Sequence, residues 1–488
     1  MQELLKTSTQ ISDLLFKDNL YGRFKGKDYS EFTDQTHSKQ FKEFTNRYPV
    51  VLSTTHSILN SASKPLDYII IDESSQVDII TASLAFSLCK NVVIVGDTRQ
   101  LSHIVPDQLR EVSDQKIKEY GISHEYDYSK NNIIRPLELI YGENLPQTLL
   151  REHYRCNPRI IGFCNRKFYR DELVLMRNEP KDGYKPGEDP LMIYRTAPGN
   201  HQCQRMNERQ IAVIKGEVLE DCSCVTEEIG IITPYRDQAN ILTDILCRET
   251  EMIADTIHKF QGKEKDVIIF SIVANEINDF IDSPELINVA VSRAKERFIL
   301  VMPHSYQLTH GSNIGDLIRY IKYCYPDAVV DSKIISHFDI LYNEYSDVLK
   351  DFRKQVYGKT GFISENIIFQ LLNDLIDEYS EFSGLKVSQH YPLFMLIRDT
   401  EGFTEREKSF CRHPRAHVDF LITNRCDNSI VLAIEVDGHA FHSGEKQKER
   451  DSIKDMALRK NSIELLRLNT TSSREKDLIV SKLFSIIK

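Results

Sequence analysis

No C-x-x-C pair occurs among the 10 cysteines, and Cys222-Ser-Cys224 is too tightly spaced for the usual zinc-ligand pattern. That argues against a zinc module or a secreted disulfide framework and predicts reduced thiols in a cytoplasmic protein. No apolar run reaches membrane length and Met1 opens no secretory signal, so no membrane association is expected. An excess of positive charge is missing too. With 62 Lys and Arg against 72 Asp and Glu, the net charge of -10 excludes a generic basic nucleic-acid coat, though not a local basic channel. Finally, no G-x-x-x-x-G-K-[ST] phosphate loop lies between Met1 and Asp72. The nearest stretch, Gly22-Arg-Phe-Lys25-Gly26-Lys27, has neither the spacing nor a strand before it.

What is present is an ordinary globular composition, 27% charged and 41% hydrophobic over 488 residues. At roughly 150 residues per domain this length predicts about three domains. The organising stretch is Asp67-Tyr-Ile-Ile-Ile-Asp72-Glu73-Ser-Ser-Gln76. An apolar run this short, bounded by turn signals, suits a strand buried on both faces of a parallel sheet, and its carboxyl end is where ligands bind in open α/β sheets. Asp72 can hold a magnesium ion there and Glu73 can orient or deprotonate a water. The plainer alternative is an acidic helix N-terminus, which the helix dipole also favours.

Upstream, Val50-Val-Leu-Ser53 reads as a strand entering Thr54-Thr55-His56-Ser57. Those hydroxyls could contact nucleic-acid phosphates or simply make a turn or cap. Downstream, a helical pattern over Asp78–Leu88 and the strand Asn91–Val95, ending in Gly96-Asp97-Thr98-Arg99-Gln100-Leu101, complete a βαβ unit. A second α/β block carries Tyr154-Arg155 before an apolar helix, the strand Ile229–Thr233, the segment Thr256-Ile-His258-Lys259-Phe-Gln-Gly262-Lys-Glu264 before the strand Val267–Ser271, and Val291-Ser292-Arg293-Ala294-Lys295 before the strand Phe298–Val301.

Taken in order, these motifs resemble those of superfamily 1 helicases, in the subgroup of nonsense-mediated-decay and tRNA-splicing helicase-like proteins, over residues 50 to 305. The resemblance implies an α/β fold with two RecA-like parallel-sheet lobes, at 1–140 and 141–306. It also implies ATP as substrate, with Asp72 on Mg2+, Glu73 activating water, Gln100 sensing the γ-phosphate, and Arg155 and Arg293 as arginine fingers. Gly262 and Glu264 would touch the nucleotide, and Thr54, Thr55, Thr256, His258 and Lys259 would face nucleic acid. For His258 and Lys259 a solvated loop competes with that role. Guanidinium suits the finger role because it stays charged and presents a planar fork to phosphate oxygens. The missing phosphate loop leaves the first lobe incomplete, with no Walker A. The chain is therefore expected either to take that segment from a partner polypeptide or to be a truncated or ATPase-dead helicase.

Residues 307–356 read as a helical linker. From 357 to 488 the expected order is a helix starting near Ser364, strands at Leu385–Tyr391, His417–Thr423 and Ile430–Val436, a charged helix from Gln447 to Lys460, and a strand at Ile463–Leu468. This αβββαβ order, with Val418-Asp419-Phe420 and Ile434-Glu435-Val436-Asp437, resembles a PD-(D/E)XK, restriction-endonuclease-like domain of the very-short-patch-repair kind. Asp419 and Glu435 on adjacent strands can share Mg2+ (or Mn2+), with the Val436 carbonyl as a further ligand. Asp437 stands where that family usually has lysine. Lys454 could substitute from the following helix or be a solvated lysine with acidic neighbours. The resemblance assigns Glu365 as the acid of the first helix. His439 and His442 could be a metal pair or turn residues near the site. The expected partner is DNA, single-stranded or branched, with RNA as the alternative.

Overall fold

The computed structural model describes residues 2–26, 32, 36–180, 184, 188–198, 202–222, 225–248, 250–304, 311–342, 349, 352, 363–437, 445–470 and 472–487. The chain divides into two compact units. One is Met1–Thr98 with Ser102–Gln147, and the other is Arg99–Leu101 with Thr148–Lys488.

In the first unit, strands β1 (Leu66–Ile71) and β2 (Cys89–Ile94) pair in parallel with Ile71 opposite Ile94. Helix α1 (Ile79–Phe86) connects them, capped by the Asp78 carboxylate, which accepts from the Ile80 and Thr81 N–H groups. Ile69 and Ile71 pack with Ile58 and Ala85. On the opposite face Tyr68 and Ile70 are 66% and 67% exposed, so β1 is covered on one side only, against the expectation of burial on both. The strand expected at Val50–Ser53 does not form. A strand needs a hydrogen-bonded neighbour, none of the described residues pairs with this stretch, and Val50 and Leu52 stand exposed.

The second unit contains a six-stranded sheet whose strands all pair in parallel. Its strands are β3 (Leu191–Arg195), β4 (Ile229–Thr233), β5 (Ile253–Thr256), β6 (Lys265–Ser271), β7 (Ala294–Met302) and β8 (Val329–Asp331), in spatial order β8-β3-β7-β6-β4-β5. β4, β6 and β7 are near-continuous apolar runs, as a sheet covered on both faces requires. One face packs on α2 (Pro158–Phe168) and α3 (Pro284–Ser292), and a separate cluster containing Ile211, Ile214 and Leu246 covers the other. β8 lies in the segment expected to be a helical linker and instead extends the sheet edge beside β3.

A four-stranded sheet follows, ordered β9 (Leu385–Pro392), β10 (His417–Asn424), β11 (Ile430–Asp437) and β12 (Leu465–Asn469). The first two pairings are antiparallel and the third is parallel, because the crossover from β11 to β12 passes through α5 (Glu445–Lys460). Helices α4 (Ile363–Glu378) and α6 (Glu475–Ile487) cover one face, burying Ile368, Leu372 and Ile479 against Phe420 and Ile434. α5 covers the other, with Ile453, Ala457 and Leu458 against Leu421 and Ala433. The observed order is the expected αβββαβ with two short helices, Leu393–Leu396 and Glu405–Arg412, inserted between β9 and β10 and with α6 appended.

The parallel sheet and this second sheet are joined through buried charge. Arg209 and Asp339, both 0% exposed, form an ion pair at 3.0 Å. Arg209 also donates to the Ile334 carbonyl at 3.0 Å and to Ser473 Oγ. Ser336 Oγ donates to Glu475 Oε1 at 2.7 Å, anchoring the start of α6. No described helix is long and apolar enough to cross a membrane.

Candidate active sites

At the end of β1, Asp72 and Glu73 are exposed. The Glu73 N–H donates to Asp72 Oδ1 at 2.9 Å, and Glu73 adopts a left-handed backbone at φ 50. This turn puts adjacent carboxylates beyond the carboxyl edge of the sheet. Ser74 locks it: its hydroxyl lies 2.8 Å from both the Ile71 and Val95 carbonyl oxygens, and its N–H donates to Val95 at 3.0 Å. Gly96 allows this approach, since a Cβ there would lie 3.1 Å from the Ser74 nitrogen and 2.8 Å from Ile134 Cδ1. Thr54 is in an ordinary turn, its Oγ1 accepting from the Ser57 N–H at 3.2 Å, and Thr55 lies beside it.

In the second unit the motif residues converge. Asn157 caps α2 and its own N–H donates to the Lys295 carbonyl at 2.6 Å, tying the Arg155 turn to the segment after α3. The Lys265 N–H donates to the Arg293 carbonyl at 3.2 Å. Arg155 forms an ion pair with Glu264, and Lys295 lies 3.2 Å from Asp266. Arg293 is buried. Sequence reasoning missed two neighbours. Arg177 donates to the Arg155 carbonyl at 2.8 Å and pairs with Glu296. His153 sits among Arg155, Arg177 and Arg293, and burial first, then those charges, hold its imidazole down to about 4. The neutral ring accepts the Cys156 N–H at 3.1 Å through Nε2. Gly262 takes φ 78 in the turn before Glu264, a conformation that favours glycine. Gln100 lies half-buried in the short segment that belongs to this unit, next to Leu101 in its core.

Thr256 ends β5, and the short helix after it presents Lys259 to solvent. His258 lies parallel to the Phe280 ring, 6.5 Å between centroids, and burial lowers its pKa. Tyr235 approaches the same ring at 5.6 Å. His258 is thus part of an aromatic cluster with Phe280 and Tyr235.

In the C-terminal domain, Phe420 pairs with Ile434, which sets Asp419 opposite Glu435 on the face covered by α5. The Val436 N–H donates to Asp419 Oδ2 at 2.8 Å. Glu435 is 5% exposed. Desolvation, opposed by Lys454 and reinforced by Asp419, pushes its carboxyl up to about 7. Lys454 reaches down from α5 to Glu435 Oε2 at 2.7 Å, while Oε1 is buried without a hydrogen-bond partner. Lys454 is therefore no solvated surface lysine. Glu365 accepts from His390 Nε2 at 2.7 Å. Asp437 pairs with Arg467, which also grips Asp455, so the position expected to lack a cation has one supplied by β12. His439 and His442 lie outside the described residues. Among the described residues no three His, Cys, Asp or Glu side chains converge as a ready-made metal cage. The donors offered are two neighbouring carboxylates, one with an unpartnered buried oxygen.

Comparison with known proteins agrees with the motif order. Two family models described as AAA domains match residues 22–106 and 135–305. A probable helicase of Dictyostelium discoideum is 28% identical over 54% of this chain and 27% of its own length. The DNA replication ATP-dependent helicase/nuclease DNA2 of Gallus gallus is 26% identical over 56% of this chain and 28% of its own. Residues 22–305 are helicase-like. An uncharacterized ATP-dependent helicase of Mycoplasma pneumoniae is 24% identical over 59% of this chain and 28% of its own length. The chain thus spans less than a third of these relatives. Among solved structures, the PRRSV helicase aligns with 50% of this chain and 36% of its own at 17% identity and a TM-score of 0.26. Residues 363–486 match a family model described as a protein of unknown function, DUF2726.

Proposed function

We propose that this chain belongs to a nucleic-acid-processing enzyme in which an ATP-dependent superfamily 1 helicase module is joined to a Mg2+- or Mn2+-dependent phosphodiesterase that cuts DNA. The observation that carries the cutting half is the side-by-side placement of Asp419 and Glu435, with a buried unpartnered carboxylate oxygen and a lysine on its twin. Two such carboxylates, with the Val436 carbonyl, fit a hard divalent cation. When bound, that ion supplies Lewis-acid stabilisation of the charge developing on the scissile phosphate. Asp419 is oriented for this by the Val436 N–H, and α5 keeps bulk water from the Glu435 side. Lys454 holds positive charge beside Glu435, where it can orient a phosphate oxygen or the attacking water.

For the motor half, Asp72 would hold Mg2+ and Glu73 would align water. Arg155, Arg293, Glu264, Gly262 and Gln100 would surround the nucleotide phosphates. Arg155 is ion-paired with Glu264, and a nucleotide phosphate would compete for that guanidinium. ATP turnover also needs a phosphate-binding loop from outside these 488 residues, supplied in trans or on a longer chain; without one the module would be ATPase-dead. Thr256, His258 and Lys259 in the second unit, and Thr54 and Thr55 in the first, would each face single-stranded DNA.

Cleavage of single-stranded and branched DNA by the full chain, with Mg2+ and with Mn2+, tests the reading. Asp419→Ala and Glu435→Ala should each abolish cutting while the protein stays folded. Wild-type cutting by both variants would remove the active-site assignment. ATPase activity stimulated by single-stranded DNA, with Glu73→Gln as control, tests the motor half separately.

A further inference from the structure

The ligand set of the C-terminal site extends beyond its two carboxylates, an inference that rests on the nuclease reading above. Asp419 uses Oδ2 to accept the Val436 N–H. Its Oδ1 faces His417 Nε2 at 3.9 Å. His417 stands two residues earlier on β10 and therefore shares the face of Asp419. Its Nδ1 is 2.9 Å from the Arg415 carbonyl oxygen. A carbonyl can only accept, so Nδ1 carries the proton, and in the neutral ring Nε2 presents a lone pair. With Nε2 unprotonated, two acceptors would face one another at 3.9 Å, too far apart for a hydrogen bond between them. Such a pair is stabilised by a cation placed between. Across the strand pair, Glu435 Oε1 is a third acceptor, buried and unpartnered.

The His417 ring is also held in place. It packs on His390 with centroids 4.8 Å apart, and His390 is fixed in turn by its hydrogen bond to Glu365. His390 adopts φ 49, a left-handed backbone inside β9, between the ladder residues Gln389 and Tyr391. Backbone strain of this kind persists only where surrounding structure enforces it. Metal-binding histidines commonly donate their second ring N–H to a carbonyl, which is the role of the His417–Arg415 contact.

We propose that His417 Nε2 is a ligand of the divalent cation shared by Asp419 and Glu435, and that the site consequently selects Mn2+ over Mg2+. His390 and Glu365 are positioning residues for that ring. Imidazole nitrogen suits transition ions, whereas Mg2+ takes oxygen ligands in a nearly regular octahedron. Glu435, held by Lys454 through Oε2, would have to shift for its carboxylate to join His417 and Asp419 around one ion.

The test uses the full chain and Mn2+ alone, reading affinity by calorimetry and nitrogen coupling by pulsed electron paramagnetic resonance. Wild type should bind Mn2+ with a 14N coupling and bind Mg2+ more weakly. His417→Gln should lose that coupling and weaken Mn2+ by at least the roughly 10-fold that loss of an outer-shell partner costs, with Mg2+ affinity little changed. Asp419→Asn should lose both ions. If His417→Gln does not fold, His390→Phe provides a second arm, expected to weaken Mn2+ while keeping the coupling. Mn2+ bound by wild type without nitrogen coupling would overturn the ligand assignment and leave the nuclease reading standing. No divalent binding by wild type would overturn both.

Discussion

Lys454 Nζ lies 2.7 Å from Glu435 Oε2, and the two side chains are only 13% and 7% exposed. A carboxylate this buried needs its counter-charge. Lys454→Met should therefore destabilise the chain by about 1 to 3 kcal/mol, less than the roughly 3 to 5 kcal/mol of a fully buried pair, because Glu435 can protonate instead. Glu435→Gln in the Lys454→Met background should recover part of the loss. Urea unfolding of the single and double variants checks both statements, and equal stability of the two would contradict the account.

Arg209 and Asp339 are wholly buried where the parallel sheet meets the C-terminal domain. Arg209→Met strands the Asp339 carboxylate and removes donors to Ile334 and Ser473. The expected cost is about 3 to 5 kcal/mol. In calorimetry the variant should show an earlier, separate transition for the C-terminal domain, whereas a single unshifted transition would show that this network does not couple the two.

His153 sets a pH dependence. Its folded pKa is held down to about 4, against 6.5 for the free side chain, so below pH 6.5 the unfolded chain binds a proton that the folded one refuses. The stability it contributes is complete above pH 6.5 and is lost as pH falls toward 4. Protonation would also remove the acceptor for the Cys156 N–H and add charge among three arginines. His153→Gln should flatten the fall in unfolding free energy between pH 6.5 and 4. An unchanged slope would mean the ring is not the titrating group.

Gly96 is the point of closest approach between the β2 exit and the Ser74 turn. A methyl group there meets the Ser74 backbone nitrogen at 3.1 Å, and main chain cannot give way as a side-chain tip can. Gly96→Ala should cost about 1 to 3 kcal/mol and displace the Asp72-Glu73 turn. Faster limited proteolysis of the first unit, with that of the C-terminal domain unchanged, is the expected readout.

The strand order of the C-terminal domain was legible because each strand is a short apolar run between turn signals, and the Asp419–Glu435 pairing followed from adjacent strands. The β1 and β2 runs were legible for the same reason, but their burial was not. An apolar run reports that its side chains can be buried, not which neighbours are present to cover them, and Tyr68 and Ile70 stand uncovered. Val50–Leu52 has strand composition but no partner strand, and pairing is a property of two segments. His390, His417 and Glu365 were separated in sequence, so their contact arises only from the β9–β10 ladder and the α4 packing. Arg467 was missed because its two carboxylate partners, Asp437 and Asp455, lie on different elements.

The central claim is that Asp419 and Glu435 together hold a divalent cation that drives phosphodiester cleavage. The most direct measurement compares single-stranded DNA cleavage by wild type and Glu435→Gln, a near-isosteric change, across a Mn2+ titration, with thermal melting measured on the same samples. The account predicts metal-dependent cutting by wild type and at least a hundredfold loss, on the order expected when a catalytic charge is removed, in a variant that still melts cooperatively as a folded protein. Cutting by Glu435→Gln at the wild-type rate and the same metal concentration would contradict it.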